Sequence, residues 1–160
     1  MCLLLTLFVI TNAAMGPVVG FLTARHQAHR PVLVFTSGGL ILAVWALALL
    51  FPSPIPDHIV VVLVVIIGIG GPVSMVAFDY SRSYVSNREL GAANGFINIG
   101  GFLAGLFMIG AIGLALDAQR AVNPEVALYD AGHFKLALCV QFAVIGFGLW
   151  RFGVANRKLH

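Results

Sequence analysis

Residues 90–116 read LGAANGFINIGGFLAGLFMIGAIGLAL, and none of these side chains is charged. A helix needs about 20 mostly apolar residues to cross about 30 Å of hydrocarbon, so this run is long enough to span a membrane. A strand of a membrane β-barrel would alternate polar and apolar residues over about ten positions, and this run does not. The segment therefore predicts a membrane-spanning α-helix.

The composition of the whole chain points to the same environment. Charged residues make up 9% and apolar residues 60% of its 160 residues, whereas soluble domains are about 25% charged. The chain has too few charged and polar side chains to cover a water-facing surface, so the outside must face the lipid bilayer. The basic residues form no run that could follow a nucleic-acid backbone, which argues against nucleic acid as a partner.

Four further apolar runs accompany the run at 90–116. Predicted spans lie at 2–24, 32–51, 59–79, 90–116 and 134–152. In the fifth, Lys135 and Arg151 lie near the ends, where their long side chains can extend to the interface. The run at 2–24 has no basic residue before it, and its apolar stretch continues to Leu22, longer than the apolar region of a signal peptide, so a membrane helix is the preferred interpretation. The predicted fold class is an all-α membrane bundle in a single domain.

The charges in the connecting loops predict the orientation of the bundle. Of the nine Lys and Arg residues, seven fall on one side, with only Arg120 and Lys135 on the other. The seven are Arg25, Arg30, Arg82, Arg88, Arg151, Arg157 and Lys158. Basic residues near span ends mark the cytoplasmic face, so we expect an external N-terminus and a cytoplasmic C-terminus in a plasma or inner membrane.

Small residues predict where helices approach one another. Gly91, Gly95, Gly101 and Gly105 fall on one stripe of the fourth span, and small residues on one face let helices pack closely in lipid. Gly16 and Gly20 in the first span are assigned the same role.

Polar residues within the spans are the candidates for function. Asn94 and Asn98 lie one turn apart, and an intramembrane asparagine is unfavourable unless something bonds to it. One alternative is a hydrogen bond to a neighbouring helix, and the other is a place on a polar path. Asn12 and Ser74 are further candidates for a substrate path.

Two features stand out in the third span. Gly71 and Pro72 predict a kink, because proline removes a backbone hydrogen bond and clashes one turn back. Such a kink is either structural or part of the frame of a substrate site. Asp79 follows, with Arg82 three residues later, which indicates either an ion pair or a proton-carrying acid.

Motifs of known enzymes are missing from the sequence. It contains no GxSxG, HExxH or Walker glycine loop, so we expect no enzymatic activity and no cofactor. His26 and His29 have no further ligand near them in sequence, which argues against a metal site.

Two stretches resemble the major facilitator superfamily. Residues 16–25 (GPVVGFLTAR), followed by His29-Arg30-Pro31, resemble the cytoplasmic signature between the eighth and ninth helices of that family, with Ala24 where aspartate is frequent. Residues 88–101 (RELGAANGFINIGG) are similar to the start of the eleventh helix, and Gly70-Gly71-Pro72 to part of the tenth. The resemblance thus covers helices eight to twelve.

This resemblance implies a function. The chain would be the C-terminal part of a secondary active transporter that moves an unknown small solute by alternating access. It would need the missing N-terminal half as a partner and would not transport alone. Arg25, Arg30, Asp79 and Arg82 would form a cytoplasmic latch. The alternative is a non-transport scaffold or assembly subunit that binds partner helices through its glycine-rich faces.

Overall fold

The computed structural model describes residues 2–52, 55–122 and 131–157, and within these residues it contains helices and turns but no strand. The helices are α1 (Cys2–Arg25), α2 (His29–Leu50), α3 (Asp57–Ser74), α4 (Val76–Tyr84), α5 (Leu90–Val122), α6 (Ala131–Leu138) and α7 (Val140–Arg157).

These elements make five helical segments that are long and apolar enough to cross a membrane. The third segment joins α3 and α4, and the fifth joins α6 and α7. The prediction of an all-α fold with five long apolar helices is confirmed. The helices extend further than the apolar runs: α5 reaches Val122 and has 33 residues, which is about 50 Å at 1.5 Å per residue. Charged residues at a helix end do not stop the helix, because they are soluble in the headgroup region.

The third segment breaks after the proline rather than at it. Pro72 is buried inside α3, and the interruption falls at Met75. There the amide of Met75 donates to the carbonyl of Pro72 at 3.1 Å, and the amide of Phe78 donates to the carbonyl of Met75 at 3.0 Å. Both are the tighter bonds that span three residues, so the helix is locally overwound at this point.

The packing order of the helices is set by α3, which lies against both α1 and α2. The other side of α2 packs against α7, while α5 contacts α4 and the α6–α7 segment. A small core forms where α1, α3 and α4 meet, around Val19, Val73 and Val76. Many large apolar side chains elsewhere are exposed, as expected when lipid covers the outside.

Close helix contacts occur at glycines of α2, α3 and α7. A Cβ at Gly68 would lie 3.0 Å from the Thr11 Cβ and 3.2 Å from the Phe8 carbonyl oxygen. A Cβ at Gly38 would lie 2.7 Å from a methyl group of Leu149. Gly68 therefore allows the close approach of α1 and α3, and Gly38 leaves room for the Leu149 side chain between α2 and α7.

Candidate functional site

A groove of about 590 Å³ runs between α1 and the α3–α4 segment. We call it the polar groove. Its lining includes the polar side chains of Asn12, Thr23, Ser74 and Asp79 and the glycines Gly16 and Gly71. Three of the side chains predicted from sequence, namely Asn12, Ser74 and Asp79, thus lie in one groove although they come from three different helices.

Asn12 lies near the middle of α1 and faces α3. Its amide group packs directly against Gly71, at the position where any other residue would carry a Cβ. Within the described part of the chain, the Asn12 side chain has no hydrogen-bond partner. Gly71 therefore makes room for an amide whose donors and acceptor are available to a molecule in the groove.

Ser74 lies on the opposite wall, immediately before the break between α3 and α4. Its hydroxyl donates to the Gly71 carbonyl oxygen at 2.6 Å. That hydrogen bond stays within the helix, as hydroxyls near a proline often do when they satisfy backbone groups. The oxygen of Ser74 can still accept a hydrogen bond from the groove.

The carboxylate of Asp79 is half-buried at the end of the groove where α1 terminates. Among residues 2–52, 55–122 and 131–157, no arginine forms an ion pair with it within 4.0 Å. Thr23, on the facing α1 wall, is buried, and its hydroxyl donates to the Gly20 carbonyl at 3.3 Å.

Among the four residues predicted as a cytoplasmic latch, the described part of the structure shows no ion pair within 4.0 Å. Arg30 is the buried member, only 7% exposed. Its Nη1 donates to the Ser83 hydroxyl at 2.8 Å, and its guanidinium lies 5.6 Å from the centre of the Tyr80 ring. Its Nε has no partner within the described residues. Arg30 therefore connects α2 to α4 without using Asp79.

The other two arginines also form no ion pair with Asp79 among the described residues. Arg25 is exposed and lies 5.7 Å from the centre of the Phe21 ring on its own helix, and Arg82 is exposed on α4. Successive residues of a helix point about 100° apart. Asp79 therefore faces α1 while Tyr80 faces α2 and α7.

The two asparagines of α5 differ in their surroundings. Asn94 accepts a hydrogen bond from the Ser81 hydroxyl at 2.8 Å, so it bonds to a neighbouring helix, the first of the two alternatives for this pair. Asn98 is exposed on the rim of a second, smaller groove between α5 and the α3–α4 segment, beside Ser74 and Gly101.

The glycine stripe of α5 makes no helix contact within the described residues. A Cβ placed on any of the predicted packing glycines there would meet nothing within 4 Å. The glycines concerned are Gly91, Gly95, Gly101 and Gly105, and the same holds for Gly16 and Gly20 of α1. None of the residues of α5 is buried. Contact of these faces with another chain or helix stays a prediction.

Several interhelical contacts could not be predicted from the sequence. Tyr80 donates from its hydroxyl to Oδ1 of Asn156 at 3.0 Å, which connects α4 to α7. Lys135 donates to the backbone carbonyl of Phe51, the residue at the C-terminus of α2, where cations are favoured. The two partners of each contact are distant in sequence. The sequence shows that Tyr80, Asn156 and Lys135 are polar, but it does not show which residues they contact.

The fold and the polar groove define a multi-pass α-helical membrane protein. Comparison with known protein families, with curated proteins and with solved structures finds no match.

Proposed function

We propose that the chain is the C-terminal part of a secondary active transporter of the major facilitator type, which moves a small solute across a plasma or inner membrane by alternating access. In this proposal it acts together with an N-terminal half and is not competent alone. The observation that carries the proposal is the polar groove, which gathers an amide, a hydroxyl and a carboxylate between helices that are otherwise apolar.

Polar groups at membrane depth are unfavourable and are kept where they contact a solute, an ion or each other. Contact with other polar groups of the protein does not account for the Asn12 amide, because it has no hydrogen-bond partner among the described residues. A solute with hydrogen-bonding groups would supply one. Asp79, without an arginine partner in this part of the chain, is available for a proton or for a cationic group of the solute.

The break at Met75 supports the same proposal. Helices interrupted within the bilayer often frame substrate sites in transporters, and here the interruption directly follows Ser74 in the wall of the polar groove. A locally weakened helix is also a place where two packing arrangements can interconvert, and a transported solute shifts the population between them.

Alternating access requires a second wall for the polar groove, which is open along its length in this chain. The N-terminal half would supply that wall, and the uncovered glycine faces of α1 and α5 would give its helices room to approach. Asp79 and the nearby end of α1 would then lie between the two halves.

The experiment is thiol accessibility in native membranes. In a background with Cys2→Ser and Cys139→Ser, Asn12→Cys and Ser74→Cys are treated with a charged, membrane-impermeant methanethiosulfonate. Both should be modified, because a thiol reacts as the thiolate, which requires water. Ile10→Cys is the control: it is on the lipid-facing side of α1, where Ile10 is 60% exposed, and should stay unmodified.

The second candidate function is a scaffold or assembly subunit, favoured by the uncovered glycine stripe of α5. In that case partner helices would fill the polar groove as well as cover the stripe. Asn12→Cys and Ser74→Cys would then be as unreactive as Ile10→Cys, and the transporter proposal would be wrong.

A further inference from the structure

A third groove lies on the other side of α4, between α4, α5 and α7, and shares no residue with the polar groove. Its volume is about 520 Å³. We call it the aromatic groove, because its walls carry Tyr80, Tyr84, Phe96 and Phe152. It lies where α4 ends, α5 begins and α7 ends, which is the arginine-rich end of the bundle.

The surface of the aromatic groove is largely apolar, and the hydroxyls of Tyr80 and Ser81 in its wall are already bonded. The Tyr80 hydroxyl donates to Asn156 at 3.0 Å, and the Ser81 hydroxyl bonds to Asn94 at 2.8 Å. The Tyr80 ring stands edge-on to Phe152, with 5.9 Å between ring centres. What remains to be contacted is hydrocarbon, and a flexible hydrocarbon chain is the occupant that fits a groove of this kind in a bilayer.

Exposed arginines lie at the same end of the bundle as the groove. Arg88 lies in the turn that joins α4 to α5, and Arg157 follows the lining residue Asn156 in sequence. Within the described residues, neither of them forms an ion pair. Of the nearby acids, Glu89 accepts a hydrogen bond from Ser86 at 2.9 Å.

Arginine binds phosphate with several hydrogen bonds in one plane, and basic clusters beside membrane helices attract anionic headgroups. Tyrosine at the same level suits the region between headgroup and acyl chain. We propose that the aromatic groove binds one anionic phospholipid, with an acyl chain along Tyr84 and Phe96 and the phosphate held by Arg88 and Arg157. The two arginines at this end of the bundle argue for an anionic lipid over a zwitterionic one.

The test is a thermal unfolding measurement on the full chain, purified in dodecyl maltoside. Phosphatidylglycerol and phosphatidylcholine with identical acyl chains are added in parallel. Phosphatidylglycerol at about a hundredfold excess over its dissociation constant should raise the unfolding midpoint by about 5 °C more than phosphatidylcholine does. Equal stabilisation by the two lipids would overturn the proposal.

Single substitutions locate the headgroup. Arg88→Gln and Arg157→Gln should each reduce the difference between the two lipids. Arg25→Gln should preserve it, because Arg25 is at the same end of the bundle but on α1, which contributes no residue to the aromatic groove. An equal loss in Arg25→Gln would show attraction to the whole basic surface instead, and would also overturn the proposal.

A second pair of variants locates the acyl chain. Phe96 in the groove wall is 78% exposed, and Phe107 on the same helix is 65% exposed but outside the groove. Phe96→Ser should weaken the stabilisation by phosphatidylglycerol, and Phe107→Ser should leave it unchanged. If both substitutions act equally, the lipid does not lie in the aromatic groove.

Discussion

The hydroxyl of Ser81, buried on α4, donates a hydrogen bond of 2.8 Å to Oδ1 of Asn94 on α5. This hydrogen bond joins α5 to the bundle close to the start of α5. None of the residues of α5 is buried. The contact explains why a polar residue is tolerated at this point of an apolar helix.

A double-mutant cycle tests the energy of this contact. Ser81→Ala, Asn94→Ala and the double variant are compared by reversible unfolding in mixed micelles. The coupling free energy should be about 0.6 kcal/mol, the average for hydrogen bonds between membrane helices. Strictly additive effects would show that the two side chains do not interact.

The glycine at position 68 should tolerate no larger residue. Gly68→Ala places a methyl group 3.2 Å from the Phe8 carbonyl oxygen and 3.0 Å from the Thr11 Cβ, and overpacking of this kind destabilises by about 1–3 kcal/mol. Gly39→Ala is the matched control, because its Cβ meets nothing within 4 Å. Its unfolding midpoint should stay the same or rise, since alanine favours helix. Equal effects would disprove the close α1–α3 contact.

The glycine stripe of α5 should matter only in the assembled protein. Gly101→Leu should change the stability of the isolated chain little, because a Cβ at position 101 meets nothing within 4 Å and the groove beside it has room for a larger side chain. In native membranes it should block the approach of partner helices and shift the chain to a smaller complex on a native gel. Gly110→Leu, on the opposite face of α5, is equally uncovered and should leave the complex intact. A loss of the complex in both variants would reject the stripe as the contact.

The orientation of the bundle stays a prediction from charge. In the background without native cysteines, Pro56→Cys should react with an impermeant thiol reagent from outside sealed cells. Arg157→Cys should react only after permeabilisation, because seven of the nine basic residues lie on its side of the membrane. The reverse pattern would refute the predicted topology.

The helices could be predicted from the sequence because each depends on a local property, the length of an uncharged run. The contacts between helices could not. The glycines of α5 have the pattern of a packing face, yet Gly38 and Gly68 make the close approaches. Asp79 and Arg82 have the spacing of an ion pair, but within the described residues they form none. Which side of a helix meets a neighbour depends on the arrangement of all the helices. The sequence of a single helix does not determine that arrangement.

The most direct test of the transporter proposal is whether position 12 can be reached from both sides of the membrane. Asn12→Cys is exposed to an impermeant thiol reagent in right-side-out and in inside-out vesicles, with Pro56→Cys and Arg157→Cys as one-sided controls. Alternating access predicts modification of Asn12→Cys in both preparations while each control reacts in only one. Modification from one side only, or from neither, would contradict the proposal.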